Sequence, residues 1–166
     1  IEYEGTFSLP EAQLDRFLVR IRLGYPDAAG EARIARRHIE RAEPLDDVAE
    51  VVPADRIRAL REAVRTVHVA AEVTDYLVAL VEATRRHPDI ALGGSPRASV
   101  GLLRTAQARA FLAGRSFVLP DDVQAVVPAV LAHRLRLVLD RELRGATVEA
   151  VVTDVVAATP VPPKAG

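Results

Sequence analysis

A short polar stretch around residue 95 has the residue types of an anion-binding site. Ser95 and Pro96 indicate a helix N-cap followed by proline at the first helical position. Arg97 then lies in the first helical turn. Backbone N–H groups, the positive end of the helix dipole and a guanidinium group would meet there, which suits a phosphate. The alternative is a surface arginine that follows an ordinary Ser-Pro cap.

The residues that several other kinds of functional site require are absent from this sequence. The single lysine is Lys164, so the Gly-x-x-x-x-Gly-Lys-Ser/Thr phosphate loop is missing. No strand-like apolar run ends in Asp-Glu, and asparagine and cysteine do not occur. His68 and Glu72 share a helical face, but a hydrogen-bonded surface pair explains them better than a metal site does. We therefore expect no metal ligands here.

The composition favours one helical domain with an aliphatic core. Of 166 residues, 49% are hydrophobic and only 4% are aromatic. The net charge is −1, and acidic and basic residues are interspersed along the chain, which argues against nucleic-acid binding. Charged residues interrupt every apolar stretch before it reaches the length of a membrane span.

Apolar residues recur at helical spacing over most of the chain, and turn residues separate the segments. The predicted helices cover 27–42, 54–67, 69–86 and 96–113, with two more beginning at Pro120 and near Thr147. Residues 88–94 are predicted to form a loop and Gly114 a C-terminal cap. The segment 135–144 is ambiguous, although Leu135, Leu137 and Leu139 indicate a short strand. Alternating apolar and arginine residues predict a strand at 17–23, whose partner strands must lie elsewhere.

Two stretches resemble the MoxR family of AAA+ ATPases. Residues 1–17 (Ile-Glu-Tyr-Glu-Gly-Thr-Phe-Ser-Leu-Pro-Glu-Ala-Gln-Leu-Asp-Arg-Phe) resemble the segment that follows the sensor 1 strand and leads through the arginine-finger helix into the last core strand. Residues 93–98 (Gly-Gly-Ser-Pro-Arg-Ala), followed by 117–123 (Phe-Val-Leu-Pro-Asp-Asp-Val), resemble the sensor 2 motif and the lid helices after it. The resemblance extends from residue 1 to about residue 163.

The resemblance implies a mainly α fold, in which an AAA+ helical lid follows the end of the α/β core. Residues 1–25 would be the last short helix and strand of that core. Residues 26–160 would form the lid, a helical bundle, and 161–166 a proline-rich tail. Because the phosphate loop, Walker B and sensor 1 would all precede these residues, the chain alone is expected to be inactive.

The resemblance also implies the site residues. Arg16 would be the arginine finger, which reaches a neighbouring subunit's ATP and stabilises charge on the transferred phosphoryl group. Ser95, Pro96 and Arg97 would form the sensor 2 contact with nucleotide, in the same subunit or in a neighbour. Without the family pattern, Arg16 is a solvated residue at a helix end, and Asp15 could pair with a nearby arginine.

For the intact protein, the family implies ATP and Mg²⁺ as cofactors, with no tight binding to this chain alone. Other copies in a ring, client proteins and von Willebrand A domain proteins would be its partners, and a cytoplasmic location is expected. Two alternatives stay open: a non-enzymatic helical protein-interaction module and, less favoured by the charge, a helical DNA-binding domain.

Two local features raise questions for the structure. The family usually has Thr or Ser before the Pro-Asp-Asp-Val helix, whereas Leu119 stands here. Losing that cap costs about 0.5–2 kcal/mol unless Asp121 or Asp122 compensates. The strand at 17–23 would have an unpaired edge, so we expect it to pair with another copy or to lie on the lid.

Overall fold

The computed structural model describes residues 9–39 and 49–162, and these are mainly helical. The helices are α1 (Glu11–Leu14), α2 (Ala28–Ile39), α3 (Ala54–Arg65), α4 (Ala71–Arg86), α5 (Pro96–Leu112), α6 (Pro120–Leu131), α7 (Leu139–Leu143) and α8 (Val148–Ala158). Two short strands are β1 (Ile90–Leu92) and β2 (Arg136–Leu137). The features expected at 1–8, 40–48 and 163–166, including Lys164, lie outside the described residues.

The chain divides into two compact units, Ile1–Arg20 with Ala63–Gly166, and Ile21–Glu62. In the larger unit, α4, α5, α6 and α8 pack around one aliphatic core, and the apolar stripes predicted for these helices are confirmed. Its fully buried side chains include Leu80, Val81, Leu102, Val123, Val127, Val130, Leu131 and Val152. Burial of such side chains contributes about 1.5–3 kcal/mol each relative to exposure.

The predicted helix signals hold in both units. The Thr147 hydroxyl accepts a hydrogen bond from the Ala150 N–H at 3.2 Å and caps α8. In the smaller unit, the Asp27 carboxylate accepts from the Gly30 N–H at 2.7 Å and caps α2. Gly114, just past α5, has φ 73°, the left-handed conformation that favours glycine at this position.

The stripe predicted for α3 is only partly correct. Ile57 and Leu60 are 45% and 37% exposed, although they recur at helical spacing. Only Val67, beyond the end of α3, is buried in the core of the larger unit. Helical periodicity indicates that a helix forms, but it does not say whether the apolar face is covered.

A two-stranded antiparallel sheet replaces part of a predicted loop. Ile90 pairs with Leu137 and Leu92 with Arg136, with an irregularity between the two pairs. The loop prediction for 88–94 is therefore wrong at β1. The strand considered within 135–144 is confirmed for the two residues of β2, and α7 follows it. Runs this short carry too little periodicity to be recognised in the sequence.

The strand predicted at 17–23 is wrong for this structure, since none of these described residues belongs to a strand. A strand needs a neighbouring strand to satisfy its backbone groups. Instead, the Arg20 N–H donates to the Ala129 carbonyl of α6 at 2.9 Å. From the sequence, we expect this segment either to pair with another copy or to lie on the lid. Residues 17–20 follow the second arrangement, because they contact α6 and the residues after it.

Candidate functional site

The start of α5 has the geometry expected of a capped helix N-terminus. Ser95 is the N-cap, and its hydroxyl oxygen accepts a hydrogen bond from the Arg97 N–H at 3.1 Å. Pro96 follows at the first helical position, where its missing N–H costs nothing. The Arg97 side chain is 64% exposed. The first turn therefore presents an exposed guanidinium group beside the positive end of the helix dipole.

The two glycines before Ser95 let the chain pass close to α4. A Cβ added at Gly93 would lie 2.7 Å from the Arg85 Cα, so only glycine fits without a shift of backbone. The Gly94 N–H donates to the Thr84 hydroxyl at 2.9 Å. The Arg85 Nε donates to the Gly94 carbonyl at 2.7 Å. These contacts fix the loop that carries Ser95.

Asp15, at the end of α1, belongs to the first stretch that resembles the MoxR family, residues 1–17. It connects that stretch to the start of α5. The Ser95 hydroxyl lies 2.9 and 3.0 Å from the two Asp15 carboxylate oxygens and donates to them. Arg97 Nη1 lies 3.8 Å from the same carboxylate. The pairing of Asp15 with a nearby arginine, considered from the sequence, is thus present. The Ser95 hydroxyl is therefore used both as a hydrogen-bond donor, to Asp15, and as an acceptor, from the Arg97 N–H.

Arg134, which follows α6, is a buried cation that the sequence analysis missed. Its side chain is 3% exposed, and its Nε lies 3.3 Å from the Asp15 carboxylate. Its Nη atoms donate to the carbonyls of Phe17 at 2.5 Å and Leu18 at 3.2 Å, and also to the Val130 carbonyl. Burial lowers the pKa of Arg134, and the Asp15 charge opposes that shift. The available signal was a charged residue between the apolar run 125–132 and Leu135.

His133, beside Arg134, is held neutral. Its Nε2 lies 3.0 Å from the Phe17 carbonyl, which can only accept, so Nε2 carries the proton. Its Nδ1 is buried and has no hydrogen-bond partner among the described residues. Burial lowers the pKa of His133, and the neighbouring positive charge of Arg134 lowers it further.

Arg16 and Arg97 line one surface cleft of about 370 Å³. The cleft is also lined by Asp15, Leu18, Val100, Gly101 and Arg134. Within residues 9–39 and 49–162, the Arg16 guanidinium has no ion-pair partner. Arg16 and Arg97 are exposed, whereas the Arg134 guanidinium is buried against the Asp15 carboxylate, so the excess of positive charge at the cleft favours an anion.

The missing cap at Leu119 is compensated by Asp122. The Asp122 carboxylate accepts from the Leu119 N–H at 2.9 Å, which satisfies a donor at the start of α6. Arg115 binds the same carboxylate with two hydrogen bonds of 2.6 Å. Although burial alone would raise the pKa of Asp122, the hydrogen bonds from Arg115 and Leu119 hold the pKa below its ordinary value. The departure from the family pattern is thus repaired locally.

Among the described residues, no group of three or more His, Cys, Asp or Glu side chains is arranged to hold a metal ion. In the same part of the chain, each helix falls short of the length and apolarity that crossing a membrane requires.

Comparison with known proteins defines the class and the family. Residues 82–155 match the AAA lid domain family. The chain is similar to protein YeaC of Bacillus subtilis, with 39% identity over 162 residues that cover 98% of this chain and 50% of YeaC. It is also similar to chaperone MoxR1 of Mycobacterium tuberculosis, with 34% identity over 171 residues, 98% of this chain and 45% of that protein. The chain spans about half the length of these relatives.

A crystal structure of a candidate ATPase from Cytophaga hutchinsonii has a similar fold. The TM-score is 0.85 at 30% sequence identity, and the match covers 98% of this chain and 52% of that one. The fold and the lid match define a protein of the AAA+ class. Within that class, the chain belongs to the MoxR family.

Proposed function

We propose that Arg16 and Arg97 bind the phosphates of one ATP molecule, which a neighbouring copy of the protein holds together with Mg²⁺. The observation that carries the proposal is that both arginines line a single cleft, although they lie 81 positions apart in the sequence. The cleft has an excess of guanidinium groups and borders the capped start of α5. These are the groups that bind and stabilise transferring phosphoryl groups in other NTPases.

The shared cleft bears on a question that the sequence left open, which is whether Arg97 contacts the nucleotide of its own subunit or that of a neighbour. An arginine finger acts on a neighbouring subunit's nucleotide. Because Arg97 lines the same cleft as Arg16 and contacts the same Asp15 carboxylate, we propose that Arg97 serves that neighbouring nucleotide too. Arg16 would stabilise charge at the γ-phosphate, and Arg97 would report whether that phosphate is present.

The remaining catalytic parts belong to sequence outside these residues in this proposal. A phosphate loop, Walker B acidic residues and sensor 1 would be contributed by the complete protein, assembled as a ring in the cytoplasm. ATP turnover would drive chaperone-like remodelling of client proteins, with von Willebrand A domain proteins as partners. The name of the relative chaperone MoxR1 supports the chaperone part of this proposal.

The first experiment replaces Arg16 by alanine in the complete protein. We expect ATP turnover to fall on the order of 10³-fold, as in other enzymes that lose an arginine finger, while ATP binding changes little. Turnover is followed by phosphate release and binding by a fluorescent ATP analogue. Unchanged turnover would contradict the ATPase proposal and favour the non-enzymatic interaction module.

A second experiment mixes variant subunits to decide which nucleotide each arginine serves. Subunits with Arg16→Ala are mixed with subunits that lack the phosphate-loop lysine. Some interfaces then combine an intact nucleotide site with an intact Arg16, so turnover returns if Arg16 acts on a neighbour. If turnover stays absent although mixed rings form, the trans assignment of Arg16 is wrong.

Mixing Arg16→Ala with Arg97→Ala subunits then tests the shared cleft. If one subunit supplies both arginines to its neighbour, no interface in the mixture has both, and turnover stays low. If Arg97 served its own subunit's nucleotide, some interfaces would be complete and turnover would return. Rings of each single variant are the matched controls.

A further inference from the structure

Arg134 holds the backbone on both sides of Arg16. A guanidinium has N–H donors in a fixed planar arrangement, and those of Arg134 reach carbonyls of the segment that carries Arg16. Nη2 lies 3.4 Å from the Asp15 carbonyl and 2.5 Å from the Phe17 carbonyl. Nη1 lies 3.2 Å from the Leu18 carbonyl. The carbonyls of Asp15, before Arg16, and of Phe17 and Leu18, after it, are therefore fixed, while the Arg16 side chain lines the cleft.

The same guanidinium reaches the start of α5 through Asp15. Its Nε lies 3.3 Å from the Asp15 carboxylate, and that carboxylate accepts from the Ser95 hydroxyl at 2.9 Å. A contact between Asp15 and Arg97 at 3.8 Å completes the connection. One buried side chain at the end of α6 is thus linked to both arginines of the cleft.

Burial makes these contacts hard to replace. Arg134 is 3% exposed and Asp15 is 20% exposed, so water cannot readily substitute for either partner. Lysine would keep the positive charge but lose the planar arrangement that reaches several carbonyls at once. A change at Arg134 should therefore loosen the segment that carries Arg16 without removing any group that would touch the nucleotide.

We propose that Arg134 is a positioning residue, which fixes Arg16 relative to α6 and the start of α5 so that Arg16 reaches the phosphate group that Arg97 also binds. This inference rests on the proposed function. The same segment is also held by neighbouring groups, because Arg134, His133 and the Ala129 carbonyl all bind residues 15–20.

The test is a double-mutant cycle between Arg134→Lys and Arg16→Ala in the complete protein. Because misplacing a catalytic group by about 1 Å costs about 10²-fold in rate, we expect Arg134→Lys to lower kcat about 10²-fold and to change KM for ATP by less than about 2-fold. In the Arg16→Ala background, Arg134→Lys should change the residual kcat by less than about 2-fold, since it acts through Arg16.

Arg115→Lys is the matched control. Arg115 also forms an ion pair with a buried carboxylate of this unit, that of Asp122, but it does not line the cleft. We expect it to lower the melting temperature of the protein and to leave kcat within about 2-fold in both backgrounds. If Arg134→Lys lowers kcat no more than Arg115→Lys does, or lowers it equally with and without Arg16, the positioning role is wrong.

A second measurement does not depend on turnover. Hydrogen exchange of the Arg20 amide, which donates to the Ala129 carbonyl, should accelerate at least about 10-fold in Arg134→Lys while amides within α8 stay unchanged. Asp15→Asn should reproduce this acceleration, because it removes the charge that pairs with Arg134. If the exchange of the Arg20 amide is unchanged in both variants, the segment is held by other contacts and the proposal falls.

The outcomes separate this inference from the function on which it rests. Unchanged turnover in Arg16→Ala overturns both. Lost turnover in Arg16→Ala, together with an Arg134→Lys variant that behaves like Arg115→Lys, overturns only the positioning role.

Discussion

The two ends of α6 each have an arginine–carboxylate cluster, and the clusters differ in how far apart their members lie in the chain. At the start of α6, Asp122 binds Arg115 and the Leu119 N–H, which lie 7 and 3 residues away. Beyond its end, Arg134 binds Asp15, which lies 119 residues away. The first cluster completes a local turn, whereas the second attaches a distant segment, and only the second lines the cleft with Arg16 and Arg97.

The clusters also differ in which charge is buried. Asp122 is 3% exposed, but its partner Arg115 is 26% exposed and can be solvated if Asp122 is lost. In the second cluster, the cation Arg134 is the buried member. The energetic consequences of disrupting each cluster should therefore be unequal.

The largest difference in the free energy of unfolding is expected between the Arg134→Ala and Asp122→Ala variants. Removing Arg134 leaves a cavity, several carbonyls without donors and a half-buried carboxylate, so the free energy of unfolding should fall by about 3–5 kcal/mol. Removing Asp122 leaves one N–H unsatisfied and Arg115 solvated, which should cost about 1–3 kcal/mol. Urea unfolding of the chain, followed by circular dichroism, measures both. A larger loss in Asp122→Ala would reverse the comparison.

A smaller effect is expected from alanine at the glycine near each cluster. At Gly93, before Ser95, a Cβ would meet the Arg85 backbone at 2.7 Å, so Gly93→Ala should destabilise by about 1–3 kcal/mol, toward the upper end. At Gly114, beside Arg115, the Cβ meets no atom within 4 Å and only the positive φ opposes it. Gly114→Ala should therefore cost about 1 kcal/mol.

Melting temperatures of the two glycine variants decide this prediction. A further check is the exchange of the Arg97 amide, which should accelerate in Gly93→Ala because the Ser95 cap moves, and stay unchanged in Gly114→Ala. Equal destabilisation by the two substitutions would mean that the loop at Gly93 can shift without cost.

The smallest expected effect separates the clusters by pH. The folded pKa of His133 is lowered from its ordinary value of 6.5, so the stability that neutral His133 contributes is present above pH 6.5 and is lost as pH falls below it. The folded pKa of Asp122 is lowered from 3.8, so its contribution is lost only as pH falls below 3.8. Acidification should therefore weaken the Arg134 end first.

Urea unfolding at a series of pH values measures this order. His133→Gln should remove the decline that begins near pH 6.5 and leave the decline below pH 3.8 unchanged. If the His133→Gln profile matches that of the original chain, the first decline arises from another group.

The same contrast explains what the sequence could predict. The caps at Ser95, Asp27 and Thr147 and the glycine turn at Gly114 depend on neighbours within a few residues, so residue type and order identify them. The buried stripes of α4, α5, α6 and α8 follow from helical period. Family resemblance singled out Arg16 and Arg97, and their position on one cleft emerged only from the structure.

The structural features that the sequence did not predict depend on contacts between residues that are distant in the chain. Arg134 follows an apolar run without any sequence neighbour that explains it, and its acceptors belong to residues 15–18. The alternation at 17–23 predicts a strand, but residues 17–20 bind α6 and the residues after it instead. Pairing between β1 and β2 joins runs of three and two residues, which are too short for periodicity to detect.

The small β1–β2 sheet sets a limit on where the chain can tolerate insertions. Leu92 pairs with Arg136, so the sheet joins a point three residues before Ser95 to a point two residues after Arg134. Adding or removing a residue in either interval would shift Ser95 or Arg134 by about 3.3 Å along the chain, which exceeds the tolerance of a hydrogen bond. Both intervals therefore have a fixed length, whereas the turn at Gly145, with φ 82° and open space around it, is where the chain can accept extra residues.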